Sequence, residues 1–264
     1  MADLKQYGTK FGFLSGSTLK IIACIAMFVD HFGLVIYPDD KVYRMIGRLA
    51  FPIFAYFIAE GSRYTRKKLK HFMLIFSVGV VYLLFYYFFA DMIYPSIFLT
   101  FSFSILIIYL MDFLKKFVIS DFKVWKLVVS ILIFASALAL SYIPFSLVVF
   151  DYGYLGMLAP VVISLFDFKD YEVPEKIRAF DSYPVRLISL SVILVLLAIR
   201  NNVMQFLVFG LELSIQYLSL LALIPLAFYN GRVGNKKLKY FFYAFYPLHL
   251  GVIMLIAIIM EFVK

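Results

Sequence analysis

The stretch LKIIACIAMFVDHFGLVIY, Leu19 to Tyr37, is an apolar run that holds a carboxylate and an imidazole, Asp30 and His31. About 20 residues of helix cross the hydrocarbon core of a bilayer. Similar runs recur along the chain, which is 64% hydrophobic with a mean hydropathy of +0.95, whereas soluble domains are roughly 45–50% apolar. The sequence therefore predicts an all-α, polytopic membrane bundle that forms a single domain over residues 1–264.

The apolar runs predict about nine transmembrane helices, within a range of about eight to ten. Their approximate bounds are 18–37, 43–62, 70–90, 96–114, 125–145, 150–166, 185–200, 203–229 and 240–262. The eighth is longer than a bilayer requires and is interrupted by Gly210 and Pro225. Transmembrane β-strands are about 10 residues long and alternate in polarity, so these continuous runs exclude a transmembrane β-barrel.

The basic residues predict the orientation of the bundle. Of the 25 Lys and Arg, 20 lie in alternate connections, which the positive-inside rule places in the cytoplasm together with the amino terminus. These are Lys5, Lys10, Lys20, Arg63, Arg66, Lys67, Lys68, Lys70, Lys115, Lys116, Lys123, Lys126, Lys169, Lys176, Arg178, Arg186, Arg232, Lys236, Lys237 and Lys239. The opposite side holds Lys41, Arg44, Arg48, Arg200 and Lys264. Topology thus accounts for most of the net charge of +9, and we expect no nucleic-acid partner.

The depth of Asp30 and His31 in the first helix calls for an explanation. Both lie about 17–18 Å from its cytoplasmic end, where a charged side chain costs on the order of 2.5–3.5 kcal/mol and needs a partner, a cavity or a function. Adjacent residues of a helix do not face each other, so at least one should face another helix. We expect Asp30 to form an ion pair with Arg44 or Arg48, four residues apart near the outer end of the second helix.

Two prolines, Pro52 and Pro247, and a second histidine, His249, also lie within the predicted helices. Pro52 removes a backbone donor in the second helix and predicts a kink, since the carbonyl of residue 48 must then be satisfied elsewhere. His249, after Pro247 in the ninth helix, lies close to the midplane, whereas His71 is expected at the interface. The number of ionisable residues within the membrane indicates a functional site, because a scaffold needs one ion pair and not five such residues. These residues are Asp30, His31, Arg44, Arg48 and His249. Structural roles are expected for Thr100, Asp112, Asn201, Glu212 and Gln216.

Other chemistries find less support in the sequence. Two histidines and carboxylates can ligate zinc, but the chain has no HExxH or comparable spacing, and the arginines would repel a cation, so we expect no metal. Cys24 is the only cysteine and lies in an apolar run, which excludes a disulfide framework and a thiolate metal site. The chain has no G-x-S-x-G, P-loop or dinucleotide motif. Met1 to Ser17 lacks the pattern of a removable signal peptide.

Two stretches together resemble the opening of the TraX family, named for the protein that acetylates the amino terminus of conjugative F-pilin. These are LKIIACIAMFVDHFG, Leu19 to Gly33, and RMIGRLAFPIFAYFIAEG, Arg44 to Gly61, followed by a basic turn. Later stretches agree with the same family: LTFSFSILIIYL, DYGYLGMLAPVVI, LALIPLAFYNGRVG and FFYAFYPLHL. The resemblance covers most of the chain and is weakest at 115–150 and 167–200.

TraX-like proteins resemble a wider class of transmembrane acyltransferases. The resemblance implies a multi-pass enzyme of the bacterial inner membrane that moves an acetyl group from cytoplasmic acetyl-CoA to an amine or hydroxyl of a peptide, polysaccharide or lipid. By matched position, His31 would be the base, and Asp30 would orient it or stabilise its protonated form. Arg44 or Arg48 would stabilise the oxyanion or bind an anionic acceptor.

The resemblance also implies a supporting shell and a site for the phosphates of CoA. The shell would include Glu60, Tyr246 and His249, with Glu60 at the cytoplasmic end and out of reach of Arg48. The phosphate contacts would come from Arg63, Arg66, Lys67, Arg232 and Lys236. A transporter or lipid flippase also carries buried charges and broken helices near the midplane, and a purely structural or assembly protein is a further alternative. Binding of acetyl-CoA distinguishes the enzyme from both.

Overall fold

A computed structural model of the protein describes residues 8, 9, 11–90, 92–201, 204–208 and 211–263. The elements are α1 Gly16–Ile36, α2 Lys41–Gly47, α3 Ala50–Tyr64, α4 Lys68–Ala90, α5 Ile97–Ile119, α6 Val124–Leu147, α7 Gly153–Ile163, α8 Glu175–Arg178, α9 Tyr183–Arg200, β1 Gln205–Val208, β2 Leu211–Ser214, a 3₁₀ helix Ile215–Ala222, α10 Leu223–Ala227, a 3₁₀ turn Lys236–Leu238 and α11 Lys239–Val263. Lys5, Lys10, Gly210, Lys264 and the predicted start of the eighth helix at position 203 lie outside the described residues.

Within the described residues, seven helical segments are long and apolar enough to cross a bilayer. They are Gly16–Ile36, Lys41–Tyr64, Lys68–Phe88, Ile97–Ile119, Val124–Leu147, Tyr183–Arg200 and Lys236–Phe262. The prediction of a helical, multi-pass membrane protein is thereby confirmed. The sixth and eighth predicted helices correspond to the shorter apolar helices Gly153–Ile163 and Ile215–Ala227. The cytoplasmic location of the amino terminus stays a prediction.

The predicted helix over 203–229 is wrong in its first half. There β1 and β2 form an antiparallel hairpin, in which Gln205 pairs with Ser214 and Phe206 with Leu213. In β2, leucines alternate with Glu212 and Ser214, which is the period of a strand with one polar face rather than of a helix. Ser214 then caps the 3₁₀ helix, because its hydroxyl accepts a hydrogen bond from the backbone N–H of Gln216.

The described residues form two compact units. The first combines Met1–Phe54 with Leu194–Lys264, as far as these ranges are described, and the second is Ala55–Ile193. Both boundaries fall inside continuous helices, α3 and α9. The prediction of one domain over residues 1–264 therefore stays a prediction.

In the first unit, α1 packs against α2 and α11. The segment before α1 pairs with a loop from the other end of the chain, through a parallel bridge between Leu14 and Tyr229 and a hydrogen bond of 2.9 Å from Ser17 Oγ to the Val233 carbonyl. The helix after α1 is broken at Arg48, where α2 has ended and α3 has not yet begun. The break confirms the predicted kink, since the carbonyl of Arg48 is the one that Pro52 leaves without a helical donor.

In the second unit, α5 packs against α4, α6 and α7. Its core cluster consists of Ile107, Ile108, Met157 and Val161. Polar side chains of α5 contribute to the same packing, because Thr100 Oγ1 donates to the Asp151 carbonyl at 3.0 Å and Ser104 Oγ donates to the Met157 carbonyl at 2.7 Å. These bonds agree with the expectation of a structural role for Thr100.

A buried ion-pair network lies at one end of the second unit. Arg63 donates two hydrogen bonds to Asp181, at 2.6 and 3.0 Å, and contacts Asp167 at 2.8 Å. Only 1% of the Arg63 side chain and 2% of the Asp181 side chain are exposed. Arg186 contacts the other oxygen of Asp167 at 3.5 Å. The bidentate geometry is the one in which a buried pair repays its desolvation.

Asp112 on α5 is bound by side chains from two other segments of the second unit. It accepts hydrogen bonds from Lys68 and from the Tyr171 hydroxyl. Lys115, three residues further along α5, instead donates to the carbonyls of Ser164 and Asp167 at 3.1 Å each. Partial burial and the Asp112 carboxylate raise the pKa of the Tyr171 phenol, so this hydroxyl is a neutral donor that ties the connection after α7 to α5.

We expect Asp181→Asn to destabilise the second unit by about 3–5 kcal/mol, because it leaves the Arg63 charge buried with a weakened partner. Thermal unfolding of the purified protein in detergent should show a clear fall in Tm. Asp121→Asn is the matched control, since Asp121 pairs with Lys123 and Lys126 at an exposed site, where solvent screens the ion pair and its loss should change Tm little. Equal Tm values for the two variants would contradict this account.

Candidate active site

Two glycines allow α1 and α2 to approach closely. A Cβ atom at Gly33 of α1 would lie 2.0 Å from Tyr43 Cβ, and one at Gly47 of α2 would lie 2.1 Å from Asp30 Oδ1 and 2.3 Å from Asp30 Cβ. Small residues at helix contacts let backbones pack tightly in membranes, where packing and polar bonds drive helix association. Gly47 therefore makes the room that the Asp30 side chain occupies.

Asp30 forms the ion pairs that the sequence predicts. Arg44 Nη1 donates to Asp30 Oδ2 at 2.6 Å, and Arg48 Nη2 donates to Asp30 Oδ1 at 3.3 Å. The exposed fraction of the side chain falls from 22% for Arg44 to 13% for Asp30 and 9% for Arg48. One carboxylate is thus held by two guanidinium groups, and the Arg44 end is the more accessible.

Gln216 of the 3₁₀ helix completes the shell around Arg48. Its Oε1 accepts a hydrogen bond of 3.1 Å from Arg48 Nη1, while Arg48 Nε donates to the Arg44 carbonyl at 3.1 Å. Gln216 is 1% exposed. The three nitrogens of the Arg48 guanidinium thus contact a carboxylate, an amide and a backbone carbonyl, which fixes its orientation.

His31 faces a different helix from its neighbour Asp30. Its Nδ1 lies 3.0 Å from His249 Nε2 on α11, and the two ring centroids are 5.0 Å apart. Successive residues of an α-helix point about 100° apart, which explains why Asp30 turns to α2 and His31 to α11. His249 is 3% exposed, and its ring stacks on Phe245 at 5.1 Å, with Tyr246 edge-on at 5.6 Å.

The hydrogen-bond partners of the two histidines determine which ring nitrogens are protonated. His249 Nδ1 lies 2.9 Å from the Phe245 carbonyl, and a carbonyl can only accept, so Nδ1 carries the proton. In neutral His249, Nε2 is then an acceptor, and His31 Nδ1 must donate to it. Because Nδ1 carries the proton of neutral His31, its Nε2 is unprotonated. This nitrogen is a base whose orientation is set by His249.

The charges of the site do not cancel. Two guanidinium groups share one carboxylate, so one positive charge remains when both histidines are neutral. In surroundings of low dielectric, such a charge acts strongly on any negative charge that develops nearby. The arrangement can accept a proton at His31 Nε2 and stabilise an anion near Arg44 and Arg48.

The remaining predicted residues lie in several places. Tyr246 contacts His249, as described above. Glu60, which is 4% exposed, Arg63, Arg66 and Lys67 belong to the second unit. Arg63 is bound by Asp181 and Asp167, whereas Arg66 and Lys67 are exposed in the connection between α3 and α4. Arg232 and Lys236 are exposed residues of the first unit.

Two residues of the site were not predicted. Gln216 was expected to be structural, and its contact with Arg48 spans 168 positions of the sequence, so local pattern gives no sign of it. Gly47 lies directly before Arg48 in the sequence, and small residues in membrane helices indicate close helix packing. That signal was available in the sequence.

The fold and this site define a class: a multi-pass helical membrane protein with two histidines in contact and a carboxylate held by two arginines. Comparison with known proteins gives the family. Residues 15–257 match the family described as TraX protein, which is nearly the whole chain, so the protein belongs to the TraX family. The family is linked to the processing and acetylation of F-pilin. No solved structure matches the chain significantly.

Two curated proteins show local similarity. An uncharacterized protein of Rickettsia prowazekii (strain Madrid E) is 51% identical over 39 residues, which are 15% of this chain and 16% of that protein. A protein of Dichelobacter nodosus described as the probable fimbrial assembly protein FimC, serogroup H1, is 34% identical over 71 residues, which are 25% of this chain and 29% of that protein. The chain thus matches less than a third of the length of either relative.

Gly47→Ala should displace the Asp30 carboxylate, because the new methyl group and the carboxylate cannot share the same space. We expect a loss of about 1–3 kcal/mol, the usual cost of overpacking, measured as a fall in Tm in detergent. Gly251→Ala on α11 is the matched control, since a Cβ there meets nothing within 4 Å, and alanine is the better helix former. A Gly47→Ala protein as stable as the Gly251→Ala protein would refute the close contact.

Proposed function

We propose that the protein is an acetyl-CoA-dependent acyltransferase of the bacterial inner membrane, with His31 as general base. The observation that carries the proposal is the 3.0 Å contact between His31 Nδ1 and His249 Nε2, because it leaves Nε2 of neutral His31 unprotonated. An unperturbed imidazole titrates near neutral pH and can both accept and return a proton. The family's link to F-pilin acetylation supports the class of reaction.

The proposed reaction replaces the carbon–sulfur bond of the thioester by a bond to the acceptor. An acceptor amine or hydroxyl attacks the carbonyl carbon, the π electrons of the carbonyl move to its oxygen, and His31 Nε2 takes the acceptor's proton. When the tetrahedral intermediate collapses, the carbon–sulfur bond breaks, and the imidazolium returns the proton to the CoA thiolate. The products are the acetylated acceptor and free CoA, and His31 is neutral again.

His249 has a positioning role in this proposal. While His31 is protonated, its Nδ1–H still donates to His249 Nε2, and a hydrogen bond from a charged donor is roughly twice as strong as a neutral one. His249 therefore stabilises the imidazolium as well as orienting the neutral ring. Asp30 acts through the arginines, whose excess positive charge favours the oxyanion of the tetrahedral intermediate.

The donor is acetyl-CoA, and its phosphates require cations on the cytoplasmic side. Arg232 and Lys236 support this step, since both are exposed and belong to the same unit as His31. The acceptor is a peptide, polysaccharide or lipid. The relative described as a probable fimbrial assembly protein favours a peptide, which would present its amino group at the outer surface of the membrane.

His31→Gln should lower acetyl transfer by about 10²–10⁴-fold, the contribution of a general base, while acetyl-CoA still binds. Transfer is measured as radiolabel moved from acetyl-CoA to acceptors in native membranes, and binding is measured on purified protein. His71→Gln is the control, because His71 Nδ1 contacts the Tyr109 hydroxyl at 2.8 Å in the second unit. A wild-type protein that binds no acetyl-CoA would end the proposal and favour a transporter or flippase.

His249→Ala should slow transfer by about 10-fold or more, within the range that a general base contributes, because His31 loses the acceptor that fixes its tautomer. In His249→Gln, the amide oxygen can accept the same hydrogen bond, so this variant should recover part of the rate. Both variants are compared by initial rate at saturating acetyl-CoA. If glutamine and alanine at position 249 gave equal rates, the orienting role of His249 would be wrong.

A further inference from the structure

The amide group of Gln216 is held in one orientation. Arg48 has donors and no acceptor, so the atom that faces Arg48 Nη1 at 3.1 Å must be the amide oxygen, Oε1. The amide nitrogen shares a carbon atom with that oxygen and therefore lies beside the same contact. Nε2 is thus a donor fixed next to the Asp30 and Arg48 pair.

This donor has no hydrogen-bond partner among the described residues, although Gln216 is 1% exposed and Nε2 itself is buried. A buried polar group without a partner costs about 1–3 kcal/mol. The nearby arginine uses the amide oxygen alone. Every glutamine carries this second donor, so the relevant observation is that Nε2 is buried without a protein partner and is available to an acceptor atom of a ligand.

The backbone around Gln216 brings further small or polar groups to the same face. A 3₁₀ helix places residues three apart in register, so Gln216, Ser219 and Ala222 line one side of Ile215–Ala222. All three are buried, with exposures of 1%, 0% and 0%. Ser219 Oγ is also buried and has no hydrogen-bond partner in the described part of the chain. Such long 3₁₀ helices are uncommon, and this one aligns two polar groups.

We propose that Gln216 Nε2 binds the carbonyl oxygen of the acyl-CoA thioester, an inference that rests on the proposed function. An amide N–H selects a hydrogen-bond acceptor, which excludes a cation as the ligand. The neighbouring excess of one positive charge favours an acceptor that becomes negative during the reaction. A thioester carbonyl meets both conditions, because it is neutral on binding and carries the oxyanion in the intermediate.

During the reaction, Gln216 keeps its proton. As the acceptor's lone pair forms the new bond to the carbonyl carbon, the π pair moves to the oxygen, and the hydrogen bond from Nε2 becomes charge-assisted. When the carbon–sulfur bond breaks, the pair returns to re-form the carbonyl. Gln216 thus binds the transition state more strongly than the ground state, which is the condition for raising kcat.

The test compares acetyl-CoA with CoA, which lacks the carbonyl. In Gln216→Glu, a carboxylate still accepts the bond from Arg48 but offers no donor, and it also cancels the excess positive charge, so the uncharged Gln216→Leu is measured beside it. The preference for acetyl-CoA over CoA, measured as the ratio of their Kd values on purified protein, should fall about 3- to 10-fold. The kcat of acetyl transfer in native membranes should fall about 10²–10³-fold, as when one donor to an oxyanion is removed.

Gln216→Leu is the second variant. Ser96→Ala is the control, since it removes a different buried polar group, a hydroxyl, that also has no partner among the described residues. Ser96→Ala should leave the Kd ratio and kcat unchanged. If the glutamine variants changed Tm alone, or weakened acetyl-CoA and CoA equally, Nε2 would serve a buried water or the fold, and the inference would be overturned. In that case, wild-type binding and transfer would still stand for the proposed function.

Discussion

The site depends on one partly buried carboxylate, that of Asp30, in a helix long and apolar enough to cross the membrane. Asp30 can remain charged at that depth because Arg44 and Arg48 reach both of its oxygens, and a buried charge without such partners costs several kcal/mol. Arg44 lies in α2 and Arg48 follows its last residue, Gly47. Because Gly47 has no side chain, it leaves the space that the Asp30 carboxylate needs. The break after α2 belongs to the same arrangement, since Pro52 prevents a regular helix at Arg48. Asp30 therefore fixes how α1 and α2 pack.

Much of this arrangement could be predicted from the sequence. A carboxylate within an apolar run needs a cation, and two arginines spaced four apart on the next helix are the nearest candidates. The pairing of His31 with His249 was not predicted as a contact, although both were placed near the midplane. Their depth follows from counting residues, whereas the side of the helix that meets α11 depends on packing. Sequence periodicity is weak where a helix is apolar on every face.

The segment from β1 to α10 shows why the rest could not be predicted. Its high hydropathy favoured a helix over 203–229. A short apolar run, however, can form either a strand or a helix, and hydropathy alone does not separate the two. Alternation in β2 spans only four residues, too few to outweigh the long apolar run. The error affects the candidate site, because the hairpin and its Ser214 cap lead into the 3₁₀ helix that holds Gln216 against Arg48. A regular helix would not align Gln216 with Ser219 in the same way.

The hydrogen bonds of the histidine pair favour proton transfer over metal binding, because they leave one ring nitrogen with an unused lone pair. A metal needs the unprotonated nitrogen of each imidazole. His249 Nε2 already accepts from His31 Nδ1, and His249 Nδ1 donates to Phe245, so His31 Nε2 is the one lone pair of the two rings that remains. A single nitrogen near two arginines is a poor cation ligand and a suitable base. In the reaction that we propose, these hydrogen bonds also define the path of the proton, from the acceptor to His31 Nε2 and then to the thiolate.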